Sequence, residues 1–212
     1  MKIRFIGDVH GKFKTYRKRI RNIPYSVQIG DMGVGFKKRV GDDLVNLANP
    51  PFDSMSKGTH YFIRGNHDNP AYCRNHPCWI ADGTYMDGVF YVGGGLSVDK
   101  YRRIEGLNWW PDEECSTEEL YSIADRYRRI RPNVVVSHDC PATVAESIME
   151  VNRAKHRLPS VTRFALESMF DFHQPKLWIF GHWHKNMRFS YRGTDFICLD
   201  ELSYVDIDME AF

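Results

Sequence analysis

Short apolar runs recur along the chain, and each closes on a polar turn. Ile3 to Ile6, Ser26 to Ile29, His60 to Ile63, Val134 to Val136 and Leu177 to Phe180 read as short strands. The turns that follow them are Gly7-Asp8-Val9-His10-Gly11, Gly30-Asp31-Met32-Gly33, Arg64-Gly65-Asn66-His67-Asp68, Ser137-His138-Asp139 and Gly181-His182-Trp183-His184. Thr84 to Met86 and Val89 to Val92, joined by Asp87-Gly88, predict a hairpin. Three further strands are expected at Met187 to Tyr191, Phe196 to Leu199 and Tyr204 to Ile207.

Helical period separates the strands. Lys12 to Asn22 is helical in pattern and strongly basic, and Val40 to Ala48 reads as a helix stopping at Asn49-Pro50-Pro51. Ser116-Thr117-Glu118-Glu119 has the form of a capping box and opens a helix to about Ile130. Two more helices are expected, from about Ala142 to Val151 and from Ser160 to Phe170. Strands alternating with helices imply an α/β sheet, which places ligands in the crevice at the carboxyl ends of its strands. Gly93-Gly94-Gly95 lacks the Gly-Lys-Ser of a nucleotide-triphosphatase loop, so its glycines are expected to let the backbone pass close beneath the site. No internal repeat is present.

Composition narrows the class without naming a chemistry. The 212 residues suit a single domain, 1–212, large enough to bury roughly 70% of its unfolded surface. Lys and Arg number 29 against 27 Asp and Glu, a formal charge of +2, so any attraction for a polyanion has to be local. With 42% hydrophobic residues, 16 Gly and 10 Pro, the chain is neither disordered nor fibrous. No apolar run approaches the ~20 residues of a spanning helix. The N-terminus enters a strand at once rather than a signal-type apolar segment. Five cysteines without a Cys-x-x-Cys pair read as reduced, mostly buried thiols. Cys73, His76 and Cys78 lack an evident fourth zinc ligand. A cytoplasmic protein with no membrane partner is expected.

The strand-end turns carry Asp8, His10, Asp31, Asn66, His138, His182 and His184, all oxygen or imidazole donors. That mixture suits borderline divalent ions such as Mn²⁺, Fe²⁺ or Zn²⁺, with Mn²⁺ expected first and Ni or the harder Mg as further candidates. Asp8-x-His10 and His182-x-His184 can each project both side chains to one side of an extended backbone. Seven donors exceed the needs of one open catalytic ion and suit two ions sharing a carboxylate, ~3.5–4 Å apart. His67 need not be a ligand and could protonate a leaving alkoxide.

Gly7-Asp8-Val9-His10-Gly11, Gly30-Asp31, Gly65-Asn66-His67-Asp68, His138 after its apolar strand, and Gly181-His182-Trp183-His184 resemble, in order, the five blocks of the calcineurin-like metallophosphoesterases. The resemblance covers residues 7 to 184. It implies a four-layer α/β/β/α sandwich with a dinuclear metal site at the carboxyl ends of the strands. It also implies one ion held by Asp8, His10, Asp31 and His184, and a second by Asp31, Asn66, His138 and His182. His67 matches the family's catalytic histidine, and a metal-bridging hydroxide would be the nucleophile. Protein-phosphatase members extend the second block to Gly-Asp-x-x-Asp-Arg-Gly. Here Val34 stands at the histidine-orienting Asp and Gly35 at the phosphate-clamping Arg. Asp68 could orient His67 instead. The departure points to the phosphodiesterase and nucleotide-cleaving branches, with a phosphoprotein phosphatase as the alternative and a non-catalytic binding scaffold as a third reading.

Specificity is expected from the loops near 33 to 39 and 96 to 116, the latter a candidate lid. There Arg102 or Arg103 could hold phosphate and Trp109 or Trp110 could stack a base. The default reading of these tryptophans is packing on the core. The basic run Lys12 to Arg21 reads by default as a solvated helix face; the sharper reading is a ridge that follows phosphates, with nucleotide or nucleic acid as partner.

Overall fold

Two-residue alternation along the strands decides the architecture of the computed structural model, which describes residues 1–46, 51–56, 59–148 and 158–212. In the first sheet β1 (Lys2–Ile6), β2 (Tyr25–Ile29) and β5 (Thr59–Ile63) run parallel in the order β1-β2-β5. β12 (Tyr204–Asp208) closes its edge antiparallel to β1. In the second sheet β7 (Val89–Val92), β8 (Val134–Ser137), β9 (Leu177–Phe180) and β11 (Thr194–Cys198) are parallel. β6 (Thr84–Met86) and β10 (Met187–Tyr191) flank that set antiparallel.

Along their parallel strands both sheets are covered on both faces, so alternate residues enter different cores. Ile3, Phe5, Val27, Ile29 and Ile63 meet Val89, Tyr91, Val134, Val136, Leu177, Ile179 and Ile197 between the sheets. The residues between them in sequence point the other way. Phe90, Val135, Trp178, Phe180 and Phe196 pack beneath α4 (Thr117–Ile130), α5 (Ala142–Ile148) and α6 (Val161–Phe172). Ile6 and Phe62 pack with α1 (Phe13–Ile20), α2 (Phe52–Ser56) and α3 (Pro70–Arg74). The result is the expected α/β/β/α sandwich. Each helix buries one stripe: Phe13, Tyr16 and Ile20 on α1, Leu120, Ile123 and Tyr127 on α4. Trp178 is fully buried and satisfies its indole by donating Nε1–H to Ser137 Oγ at 2.8 Å. The capping box of α4 is present, Ser116 Oγ accepting from the Glu119 amide while the Glu119 carboxylate accepts from the Ser116 amide.

One expected helix is absent where it can be described. Lys37–Val40 and Asp43–Asn46 form an antiparallel hairpin, β3 and β4, instead of the start of a helix over Val40 to Ala48. Gly41, at φ +62, opens its two-residue Gly41-Asp42 loop, a left-handed turn that suits a hairpin and stops a helix. Residues 47–50 and the end of the helix expected to reach Val151 lie outside the described residues. Among the described residues no helix is long and apolar enough to cross a membrane.

Candidate active site

The parallel strands of both sheets deliver their following turns to one end of the sandwich. Val9 and His10 donate their amides to the Asp31 carbonyl, at 2.9 and 2.8 Å, joining the first two turns. The Gly181 amide donates to the His138 carbonyl at 3.0 Å, joining the last two. His10, Asp31, His182 and His184 all have positive φ, between 46° and 65°. Four of the seven expected ligand residues thus sit in left-handed backbone that costs a non-glycine residue about 1–3 kcal/mol each, held there by the surrounding structure.

The side chains meet in two clusters that share Asp31. In the first, Asp8, His10, Asp31 and His184 each present a donor atom within 4.8 Å of the others, and in the second Asp31, His138 and His182 do the same. Asp31 turns Oδ2 toward His10 Nε2 (3.7 Å) and Oδ1 toward His138 Nε2 (3.3 Å), one oxygen to each cluster. Asn66 joins the second cluster through Oδ1, 3.1 Å from His138 Nε2. Its amide nitrogen donates to Ser97 Oγ at 3.0 Å, which keeps the oxygen turned inward. His138 Nδ1 faces the Ile29 carbonyl at 3.0 Å; a proton on Nδ1 leaves Nε2 as the free lone pair. Asp139, 3.9 Å from His182 Nε2, accepts from Arg163 Nε (2.9 Å), Trp183 Nε1 (3.0 Å) and the Cys140 amide (2.9 Å).

This arrangement asks for positive charge. Asp8 is fully buried, and its Oδ2 takes no well-formed hydrogen bond although His184 Nε2 is 3.1 Å away. Burial pushes Asp8 up, but contacts with His10 and His184 outweigh it and hold the carboxyl down at about 2. Burial opposes charge on His138 too, yet the Asp31 carboxylate drives that imidazole up to about 10. Asp8 also lifts His184, and raises His10 against that residue's own burial. Two carboxylates, an amide oxygen and four imidazoles around buried negative charge fit divalent cations of borderline softness. Among the described residues these are the only clusters of three or more such donors, so Cys73, His76 and Cys78 form none; all five cysteines are reduced thiols and buried.

Glycine is required where the backbone passes the ligands. A Cβ on Gly65 would lie 2.1 Å from Asp31 Oδ1 and 2.8 Å from His138 Nε2. Gly65→Ala is therefore expected to displace the shared carboxylate and cut bound metal to below one ion per chain. Stability should fall by about 1–3 kcal/mol, as in other overpacked sites. Metal analysis beside a thermal melt checks this, and full metal content would contradict it.

His67, Asn66's neighbour, sits at the cleft wall with its imidazole centroid 4.9 Å from that of His10. Asp68 does not orient it, contrary to the sequence expectation. The buried Asp68 carboxylate instead accepts amides from Met32 (3.2 Å), Gly33 (2.8 Å), Val34 (3.0 Å) and Gly65 (2.8 Å), fixing the loop after β2. The group that meets His67 is Arg103, whose Nη2 donates to His67 Nε2 at 3.0 Å. Arg103 is itself held by Asp99, through Nε to Oδ1 at 2.7 Å and Nη2 to Oδ2 at 2.9 Å. Burial lowers the His67 pKa to about 4, against the raising effect of Asp31 and with help from Arg103.

Arg102 and Arg103 line a cleft of about 290 Å³ with Asp31, Asn66, His67, His182 and His184. The tryptophans do not line it. Trp110 is buried edge-on against Phe36, and Trp109 turns its indole toward Glu113. The aromatic ring on the cleft is Tyr101, 74% exposed. Sequence reasoning missed it, along with Asp99, Ser97 and Asp139. Only Asp139 carried a signal, its place directly after His138.

No curated protein matches this chain. Among solved structures, "Putative 5'-Nucleotidase from Staphylococcus aureus in complex with alpha-ketoglutarate" is 14% identical at a TM-score of 0.49, covering 98% of this chain and 51% of that one. GAP50, the anchor in the inner membrane complex of Plasmodium, is 10% identical at a TM-score of 0.48, covering 94% and 71%. The chain thus spans about half the length of the first of these proteins. The sequence model of the calcineurin-like phosphoesterases matches residues 1–186, a span that holds every strand-end turn described above. The chain belongs to the calcineurin-like phosphoesterase family.

Proposed function

We propose that this metal-dependent phosphoesterase hydrolyses phosphodiesters or nucleotides, with Mn²⁺ as its working ion. The family's divalent ions would be held by Asp8, His10, Asp31 and His184, and by Asp31, Asn66, His138 and His182. When bound, they polarise the phosphoryl group and lower the pKa of water.

One observation carries the diester reading: the guanidinium facing His67 is already neutralised. Arg103 engages Asp99 with two N–H groups, and Gly35 leaves the second motif without its own arginine. A phosphomonoester dianion needs uncompensated positive charge beyond the metals, whereas a diester carries one charge less. Arg102, at the exposed rim, is screened by water.

The leaving group is assigned to His67, which lines the cleft beside His10. While Arg103 donates to it, Nε2 is an acceptor and the imidazole is neutral. A substrate oxygen that takes over the Arg103 N–H frees Nε2, and the nearby anion raises the ring's proton affinity. The freed Nε2 takes up a proton from solvent and passes it to the leaving alkoxide.

A substrate panel with Mn²⁺, spanning diesters, cyclic nucleotides, dinucleoside polyphosphates and phosphopeptides, tests the reading. Diesters or nucleotides should lead; a phosphopeptide leading would overturn it. Arg103→Ala should raise KM for a diester about tenfold or more, the usual loss for a charge-assisted hydrogen bond. Asp99→Asn removes the compensating charge, so the ratio of monoester to diester turnover should rise. An unchanged ratio would mean that the Arg103–Asp99 pair does not set the preference.

A further inference from the structure

We infer that the substrate is a single-stranded nucleic acid, its backbone led onto the exposed face of α1 and one of its bases stacked on Tyr101. This rests on the phosphodiester reading above.

The first observation is a one-sided stripe of charge. Lys14, Arg17 and Lys18 follow the i, i+3, i+4 spacing that lines up one face of α1, Arg21 follows at its C-cap, and all four are exposed. None has an ion-pair partner among the described residues, and α1 contains no acidic residue. The opposite face, Phe13, Tyr16 and Ile20, is buried. Arg17, Lys18 and Arg19 in the last turn suit the helix dipole, but Lys14 lies in the first turn, where the dipole disfavours a cation, and forms a like-charge pair with Lys18 four residues on. A merely solvated face would be better built with alternating signs, as elsewhere in a chain whose charges nearly cancel. The stripe starts four residues after His10, so it leads away from the candidate metal centre.

The second observation is independent. Tyr101 lines the cleft at 74% exposure, with the Arg102 guanidinium 5.3 Å from its ring centroid. A large aromatic ring left open beside a cation at a phosphoester site presents the platform on which an unpaired base stacks. A cationic track with an aromatic platform is how proteins hold single strands without reading sequence. An anionic membrane would use the stripe alone and leave Tyr101 without a role.

The test compares two substrates on the full chain with Mn²⁺: bis-p-nitrophenyl phosphate, and a labelled single-stranded oligonucleotide of about twenty nucleotides. The stripe variant combines Lys14→Gln, Arg17→Gln, Lys18→Gln and Arg21→Gln; a thermal melt confirms that it folds. Its kcat/KM on the small diester should stay within about twofold of wild type, while oligonucleotide KM should rise at least tenfold. The salt dependence of oligonucleotide binding should flatten by about 0.7 in log–log slope for each phosphate that the variant no longer neutralises. Tyr101→Ala should weaken oligonucleotide binding about fivefold or more, a larger factor than its change in KM for the small diester.

Equal losses on both substrates, or none on the oligonucleotide, would overturn the inference. So would binding to phosphatidylserine vesicles without binding to the oligonucleotide. A wild-type chain inactive on the small diester fails the phosphodiester reading itself, whereas one active on it but indifferent to the oligonucleotide fails this inference alone.

Discussion

Asp31→Asn is expected to lower metal-supported phosphoester hydrolysis by about three orders of magnitude or more. One carboxylate serves both clusters, Oδ2 toward His10 and Oδ1 toward His138. The amide that replaces it offers one acceptor oxygen, so one cluster receives an N–H where it needs a donor atom. The charge of the ligand set falls by one unit as well. Losing several kcal/mol of transition-state stabilisation corresponds to the stated factor. The substitution preserves shape, and Asn tolerates the positive φ of 58° found at Asp31, so the fold should survive. Metal content and kcat/KM measured on one preparation check the expectation. Activity within tenfold of wild type, with two ions retained, would remove Asp31 from the shared position.

His67→Ala is expected to keep both ions yet slow substrates with alkoxide leaving groups by about 10²–10⁴, the usual weight of general acid catalysis. A p-nitrophenolate leaving group needs no proton, so the same variant should lose far less on bis-p-nitrophenyl phosphate. The dependence of rate on leaving-group pKa separates this role from a structural one, because a displaced loop would slow both classes alike. Equal turnover by wild type and variant on a poor leaving group would exclude His67 as the proton donor. The Arg103 hydrogen bond sharpens the expectation: Arg103→Ala leaves the proton route intact, so its effect should fall mainly on KM.

The strand ends were legible in the sequence for a physical reason. A strand buried on both faces must be apolar along its length, so the polar turn at its end stands out, and in parallel sheets all such turns gather at one end. Val134 to Val136 before His138 and Leu177 to Phe180 before His182 show this most plainly. Groups whose roles are set by side-chain direction were not legible. Nothing local to Asp68 reveals that it gathers amides from Met32, Gly33 and Val34 rather than holding its neighbour His67. Likewise Trp109 and Trp110 had the composition of a stacking platform, but their area favours burial, and the smaller Tyr101 took the cleft. The Val40 to Ala48 stretch misled because its apolar residues suit a helix, while the Gly41-Asp42 dipeptide at its start dictates a hairpin.

A metal-dependent esterase that prefers phosphodiesters is distinguished from its alternatives by one comparison. Protein stripped with chelator is assayed on bis-p-nitrophenyl phosphate and on p-nitrophenyl phosphate, before and after Mn²⁺ is restored. No turnover without the ion, recovery with about two ions bound per chain, and a higher kcat/KM for the diester is the expected result. Turnover that persists in chelator would exclude metal dependence, and a higher kcat/KM for the monoester would exclude the diester preference.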